Sequence, residues 1–191
     1  MRQNRARSLL VSTPRRVLLE NNLFSSMMAG VLISGDANFW YESGPVTDVV
    51  IRNNTFLNCC TSGHDQVPLL ITPNIMDIKQ SQGCLHRNIL VEGNTFHVFD
   101  SRVVEMISAC QVRILNNKII QNQDFPAFFP HGSALKFTHC QVDAIRGNAY
   151  SGTGQAEVVM DAKTRLSEFD NNAGFDSEIK KETVNQTPLR F

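Results

Sequence analysis

The chain has 191 residues, 42% of them apolar and 19% charged, with 18 basic against 18 acidic side chains. That length suits one domain with a core of its own, and the balanced charge argues against a nucleic-acid or anionic-membrane partner, since both call for a basic excess. Five cysteines without a Cys-x-x-Cys pair and five histidines without a His-x-x-x-His motif offer no zinc-site spacing, so no structural metal is expected.

In chain order, residues 1–16 come first, a basic stretch carrying Arg2, Arg5, Arg7, Arg15 and Arg16 with no acid, read as a disordered or imported start. Its apolar run, Leu9–Val11, is too short for a signal-peptide core or a membrane span. From residue 17 to 161 one pattern recurs, as "LENNLF" (19–24), "IRNNTF" (51–56), "VEGNTF" (91–96), "ILNNKI" (114–119) and "IRGNAY" (145–150). Each copy reads apolar, variable, Asn or Gly, Asn, variable, then aromatic or Ile. The matching asparagines, Asn22, Asn54, Asn94, Asn117 and Asn148, are separated by 32, 40, 23 and 31 residues.

Repeats of this period, each led by a short alternating strand, predict stacked coils. The 23-residue spacing suits a bare coil and the longer ones coils with inserted loops. Asn or Gly tolerates left-handed backbone at a tight corner, and an Asn amide can bond to backbone there. Coils roughly 4.8 Å apart also bring equivalent asparagines within reach of one another as a ladder. Phe24, Phe56, Phe96, Ile119 and Tyr150 are then expected to stack inside. Further strands are predicted at "GVLIS", "PLLIT", "VVEMI", "ALKF" and "EVVM". The expected fold is all-β: a right-handed parallel β-helix over residues 17–161, about five coils with inserted loops and two or three strands each. Residues 162–191 read as a polar cap or tail. The first repeat has the character of an interior coil, which suggests a part of a longer chain lacking its N-terminal coils, and exposed coil ends offer a route to self-association. Cys110 and Cys140 each begin "CQV" and are expected as an unbonded inward stack in adjacent coils, although facing Cβ atoms would permit a disulfide.

Long connections at 35–45, 59–68 (continuing to about 80) and 124–132 would emerge from neighbouring coils and can line a groove. In the first, Trp40 and Tyr41 offer flat platforms for a pyranose, and Asp36 and Glu42 offer hydroxyl acceptors. The alternative is that Trp40 packs over the coil and both acids are solvated. Glycoside hydrolysis needs two carboxylates, and Asp36, Glu42, Asp65, Asp77, Asp100 and Asp124 lie near loops with no pair singled out. His64 and Asp65 suit turn formation better than acid–base work, and His131 raises the same question. Lys136 is expected to alternate outward between Leu135 and Phe137, the other reading being a carboxylate partner on an adjacent coil. "FPAFF" at 125–129 is expected to pack under its loop, with walling a groove as the alternative.

The stretch "LISGDANFWYESGPVTDVVIRNNTF" resembles the bacterial α-1,3-galactosidases of glycoside hydrolase family 110, and "ILVEGNTF" and "VRILNNKI" are consistent with that resemblance. It implies hydrolysis of terminal α-1,3-linked galactose by an inverting two-carboxylate mechanism, a galactose-terminated glycan as partner, no organic cofactor, and an exported protein, although this chain shows no signal peptide. It makes Asp36, Trp40 and Glu42 candidate sugar contacts or supports of the active-site wall. The family's catalytic aspartates, including an adjacent Asp-Asp pair, belong to coils upstream of the matched segment, and this sequence has no Asp-Asp pair. The resemblance therefore assigns no catalytic residue here and implies weak or absent activity of the chain alone. A noncatalytic carbohydrate-binding or adhesion module, and a purely structural β-helix, stay open as readings.

Overall fold

In the computed structural model, which describes residues 3–36, 43–75, 77, 83–154 and 156–184, the chain winds as a right-handed β-helix through three parallel sheets. The first sheet stacks β1 (Leu9–Val11), β4 (Val31–Ser34), β7 (Leu69–Thr72), β10 (Val104–Ile107), β13 (Leu135–Thr138), β16 (Val158–Asp161) and β18 (Ile179–Glu182). The second stacks β2 (Arg15–Glu20), β5 (Thr47–Arg52), β8 (His86–Glu92), β11 (Ala109–Leu115), β14 (Gln141–Arg146) and β17 (Arg165–Asp170). The third holds β3 (Leu23–Phe24), β6 (Thr55–Leu57), β9 (Thr95–Val98), β12 (Lys118–Gln121) and β15 (Ala149–Ser151). Every strand predicted from an apolar run outside the Asn repeats lies in the first sheet. Regular strands also occur outside 17–161: β1 falls within the basic start that the sequence suggested was disordered or imported, and β17 and β18 within the polar end.

Alternation fills the interior. Val49 and Ile51 of β5 stack on Ile89 and Val91 of β8, and all four are fully buried. Phe56 lies 4.6 Å from Phe96 in a stacked pair and 5.1 Å from Phe24. Removing a Phe or Leu side chain from water is worth about 1.5–3 kcal/mol, so each added coil contributes its own increment of core.

The corner between the second and third sheets is the most regular, two residues in each of the five coils. Asn22 Nδ2 donates to Asn54 Oδ1 at 3.0 Å, Asn54 to Asn94 at 3.0 Å, Asn94 to Asn117 at 3.0 Å and Asn117 to Asn148 at 2.9 Å. Each Oδ1 accepts a second bond from the backbone N–H of the same preceding asparagine, at 2.9–3.0 Å. The remaining Nδ2 hydrogen reaches a strand carbonyl, as from Asn54 to Leu19 at 2.8 Å. The amide's capacity is thus fully used, which is what burial of a polar group demands. The left-handed residue is the one before the ladder asparagine: Asn21, Asn53, Asn116 and Asn171 have φ of 52–57°. Glycine takes that place at Gly93, where a Cβ would stand 2.7 Å from Asn53 Oδ1. The ladder also runs one rung past the sequence repeat, since Asn148 donates to Asn172 at 2.9 Å.

The cysteines pair differently from the expectation. Cys110 is bonded to Cys84, 26 residues away, and Cys140 is a buried free thiol. The reason is local: Gln111 has a φ of 55° and the β11–β14 register shifts there, so Cys110 stands opposite Gln141 while Val112 stands opposite Val142. The two "CQV" motifs therefore align at their valines and not at their cysteines.

Asn54→Leu removes acceptors for Asn22 and donors to Leu19 and Asn94 at once. It should lower the unfolding free energy by about 3 kcal/mol or more, read from the denaturation midpoint; an unchanged midpoint would assign the corner to backbone geometry alone.

Candidate functional site

Because strands in the first sheet run parallel, their two ends form two rims built from different loops. At the C-terminal rim, the connections β4–β5 and β7–β8 leave neighbouring coils one above the other. Asp36, two residues past β4, is buried, and its N–H donates to the Ser43 carbonyl at 3.1 Å, closing the base of the first loop. Gly35 beside it is closely packed, because a Cβ would crowd the Pro73 carbonyl and Leu85 at 3.0 Å. Trp40 and Glu42, the other two candidate sugar contacts, and Tyr41 lie outside the described residues.

His86, which the sequence did not single out, joins the two loops. Its Nδ1 accepts from the Val46 N–H at 3.2 Å, so the ring proton is on Nε2 and donates to the Thr72 carbonyl at 3.0 Å. Burial depresses its pKa, against the opposing bond to Thr72, and holds the imidazole neutral. The Cys84–Cys110 disulfide fixes the end of the second loop to the next coil. Further along the same rim Asp161 braces a corner: it accepts from the N–H groups of His139 at 2.9 Å and Thr164 at 3.0 Å. Burial would raise the Asp161 pKa, but the bonds from Thr164 and His139 outweigh it and hold the carboxyl below its ordinary value.

The N-terminal rim brings together what the sequence kept apart. Asp65 (β6–β7 loop), Asp100 (β9–β10) and His131 (β12–β13) come from three consecutive loops. His131 Nδ1 bonds to Asp100 Oδ2, Nε2 meets Asp65 Oδ1 at 3.0 Å, and the His131 N–H donates to Asp100 Oδ1 at 3.0 Å. An ionised carboxylate only accepts, so the ring engaged on both nitrogens is an imidazolium. Burial opposes that charge, but the bonds to Asp100 and then Asp65 exceed it and the counter-effect of Arg102, and the pKa of His131 is raised. Arg102 itself holds Ser133 Oγ at 2.9 Å and Glu105 at 3.5 Å. Glu105, in the middle of "VVEMI", is 1% exposed; a lone acid within an apolar strand was the signal available for it.

This constellation is a clamp. The imidazole occupies the space between the two carboxylates where a glycosidic bond and its attacking water would have to stand. The cleft beside it, lined by Cys60, His64, Arg102, Phe128 and Phe129, has free space of about 20 Å³, room for about one water. Asp124 anchors a turn by accepting from Asn58 Nδ2 at 2.7 Å. Lys136 does point outward, and also pairs with Glu182 at 2.8 Å, two coils away in the first sheet. Burial pushes the thiol of Cys59 up to about 11 and that of Cys140 up to about 12, which leaves both as inert core groups. Among the described residues no group of His, Cys, Asp and Glu is arranged to hold a metal ion.

Residues 2–164 match the family described as a right handed beta helix region, and the chain belongs to that family. Within it, the chain is related to bacterial α-1,3-galactosidases. It is 42% identical over 151 residues to alpha-1,3-galactosidase B of Akkermansia muciniphila, covering 78% of this chain and 19% of that protein. It is 36% identical over 167 residues to alpha-1,3-galactosidase B of Bacteroides thetaiotaomicron (86% and 27%), and 36% over 150 residues to alpha-1,3-galactosidase A of Bacteroides fragilis (76% and 24%). The chain thus spans about a fifth to a quarter of the length of these relatives.

The clamp gives stability a specific pH dependence. A raised folded-state pKa contributes stability in full below the unfolded value of about 6.5, lost as pH rises through the folded value. Relative to His131→Gln, the natural protein should be more stable by about 2 kcal/mol near pH 5.5, with the gap shrinking as pH rises through the raised folded-state value. A gap that is flat with pH in paired urea titrations would mean that His131 is held by packing alone.

Proposed function

We propose that this chain is a segment of a hydrolase acting on terminal α-1,3-linked galactose, and that it supplies a sugar-contacting wall. The similarity to bacterial α-1,3-galactosidases across more than three quarters of the chain carries this reading. It is supported by two inserted loops rooted side by side, with Asp36 at their base. In this role Trp40 stacks on the apolar face of the galactose ring, and Asp36 and Glu42 accept from its hydroxyl groups. An inverting site needs one carboxylic acid to protonate the leaving oxygen and a carboxylate on the opposite face to activate water. That pair belongs to other parts of the full-length protein, and the isolated chain lacks the proximity that the reaction requires.

One observation favours a second reading, a carbohydrate-binding module without hydrolysis. Asp65 and Asp100, two of the acids near the loops, meet with an imidazole filling the space between them.

The test is to titrate the folded chain with an α-1,3-linked galactosyl disaccharide and follow free galactose with an anomer-sensitive readout. Binding at a Kd of about 1 mM with little or no release is expected, and any product should be β-galactose. Trp40→Ala should weaken binding about fivefold while far-ultraviolet circular dichroism is retained. Absence of binding by folded protein overturns the reading, and release of α-galactose overturns inversion.

A further inference from the structure

The loop between β12 and β13 runs "DFPAFFPH" over 124–131, and against expectation its aromatics do not pack beneath it. Phe125 is 46% exposed, Phe128 65% and Phe129 47%. Phe125 also keeps an edge contact with Phe99, ring centres 5.7 Å apart.

Yet the loop is tied at both ends to an earlier coil. At its start Asn122 Nδ2 donates to Asn58 Oδ1 at 3.0 Å and Asn58 Nδ2 donates to Asp124 Oδ2 at 2.7 Å. At its end His131 bridges Asp65 and Asp100. Pro126 and Pro130 fix φ on either side of the Phe128–Phe129 pair, which lowers the loop's freedom further. A loop held at both ends that turns aromatic faces to solvent is pre-organised for a partner, because the ordering cost of binding is already met.

The surroundings identify the partner's chemistry. The exposed His64 lines the same cleft as Phe128 and Phe129, as does His131, which Asp65, with 42% of its side chain exposed, holds; the exposed Asp124 precedes Phe125 in the loop. A small aromatic platform ringed by hydrogen-bonding groups suits a pyranoside, which presents an apolar C–H face to a ring and hydroxyl groups at its edge. A stable protein interface would need roughly 1,000 Å² or more in total, far beyond a few rings with a charged border.

We propose that this Pro-bracketed aromatic loop is a second saccharide contact, taking a sugar unit beyond the terminal galactose, with Phe128 as its platform and the Asp65–His131–Asp100 clamp as the device that positions it. The proposal rests on the galactoside-binding reading above. It sits at the opposite rim from Asp36: roughly 13 Å away across the four-residue strands of the first sheet and, because Phe128 reaches back beside Gly63 of the β6–β7 loop, about one coil, roughly 5 Å, along the axis. A single sugar does not cover that distance, so an extended glycan is needed to touch both rims.

The experiment compares, by calorimetry on the full chain, the α-1,3-galactosyl disaccharide with a tetrasaccharide bearing the same terminal unit. The tetrasaccharide should bind about tenfold more tightly. Phe128→Ala should bring that ratio near one, and Phe128→Trp should keep it. The positioning role of His131 adds a pH readout. The groups facing it are Asp65, Asp100 and Arg102, with Glu105 behind Arg102. The tetrasaccharide advantage should therefore decline as pH rises and the imidazolium is lost, and in His131→Gln it should be small at every pH. Equal affinity for the two glycans, or a ratio untouched by Phe128→Ala, overturns this proposal and leaves the galactoside site standing. Failure of both glycans to bind overturns both readings. Self-association abolished by Phe128→Ala, seen by sedimentation, would assign the platform to a second copy and overturn the saccharide contact.

Discussion

The structure depends on the satisfaction of one buried amide per coil. A β-helix must reverse direction several times in each turn, and every reversal leaves backbone N–H and C=O groups without strand partners. At the corner between the second and third sheets the asparagine ladder meets that demand: each Oδ1 takes the backbone and side-chain N–H of one neighbouring coil, and each Nδ2 reaches a strand carbonyl and the next asparagine. The ladder also fixes register. Asn54 must sit above Asn94 for these bonds to form, and this places Phe56 above Phe96 and Ile51 above Val91. Slipping one coil by a residue would turn its apolar face outward and break the amide bonds together.

With that corner invariant, variation is displaced to the other two. Insertions occur at the two rims of the first sheet, where a loop can lengthen without disturbing the ladder, and the chemistry-bearing residues collect there. The two rims are built on different principles. At the C-terminal rim the two inserted loops are fastened by neutral groups, His86 between Val46 and Thr72 and a disulfide from Cys84 to Cys110, while Asp161 braces a corner further along. At the N-terminal rim the fastening is ionic, with an imidazolium between two carboxylates and Arg102 between Ser133 and Glu105.

That separation bears on the relation to the α-1,3-galactosidases. Successive coils repeat the ladder's geometry because the core requires it, while what a groove binds is decided by loops whose residues have no part in the core. The relationship therefore speaks first for the scaffold and the placement of the rims. Asp36, buried at the base of one inserted loop, is coupled to the scaffold, since a Cβ on Gly35 beside it would crowd Pro73 and Leu85.

The sequence by itself determined the architecture, because a repeat with one ladder asparagine and one inward aromatic or aliphatic residue per coil admits few other folds. It also located β4, β7, β10, β13 and β16 of the first sheet from their largely apolar runs, but not β1 or β18. It did not determine which residues from different coils meet. Asp65, Asp100 and His131 are 31 to 66 positions apart, and nothing local marks them as partners; only the stacking of three loops on one rim brings them together. The pairing of Cys110 with Cys84 was likewise decided by a bulge at Gln111, an αL backbone position that the repeated "CQV" does not announce. The exposure of Phe128 has the same origin: an aromatic in a loop reads as buried on composition, but its loop is anchored to Asn58 and Asp65 from an earlier coil and has no interior left to enter. Periodic contacts between equivalent residues are written in the chain because the repeat states them again and again; contacts between non-equivalent loops are written once, and only the fold brings their parts together.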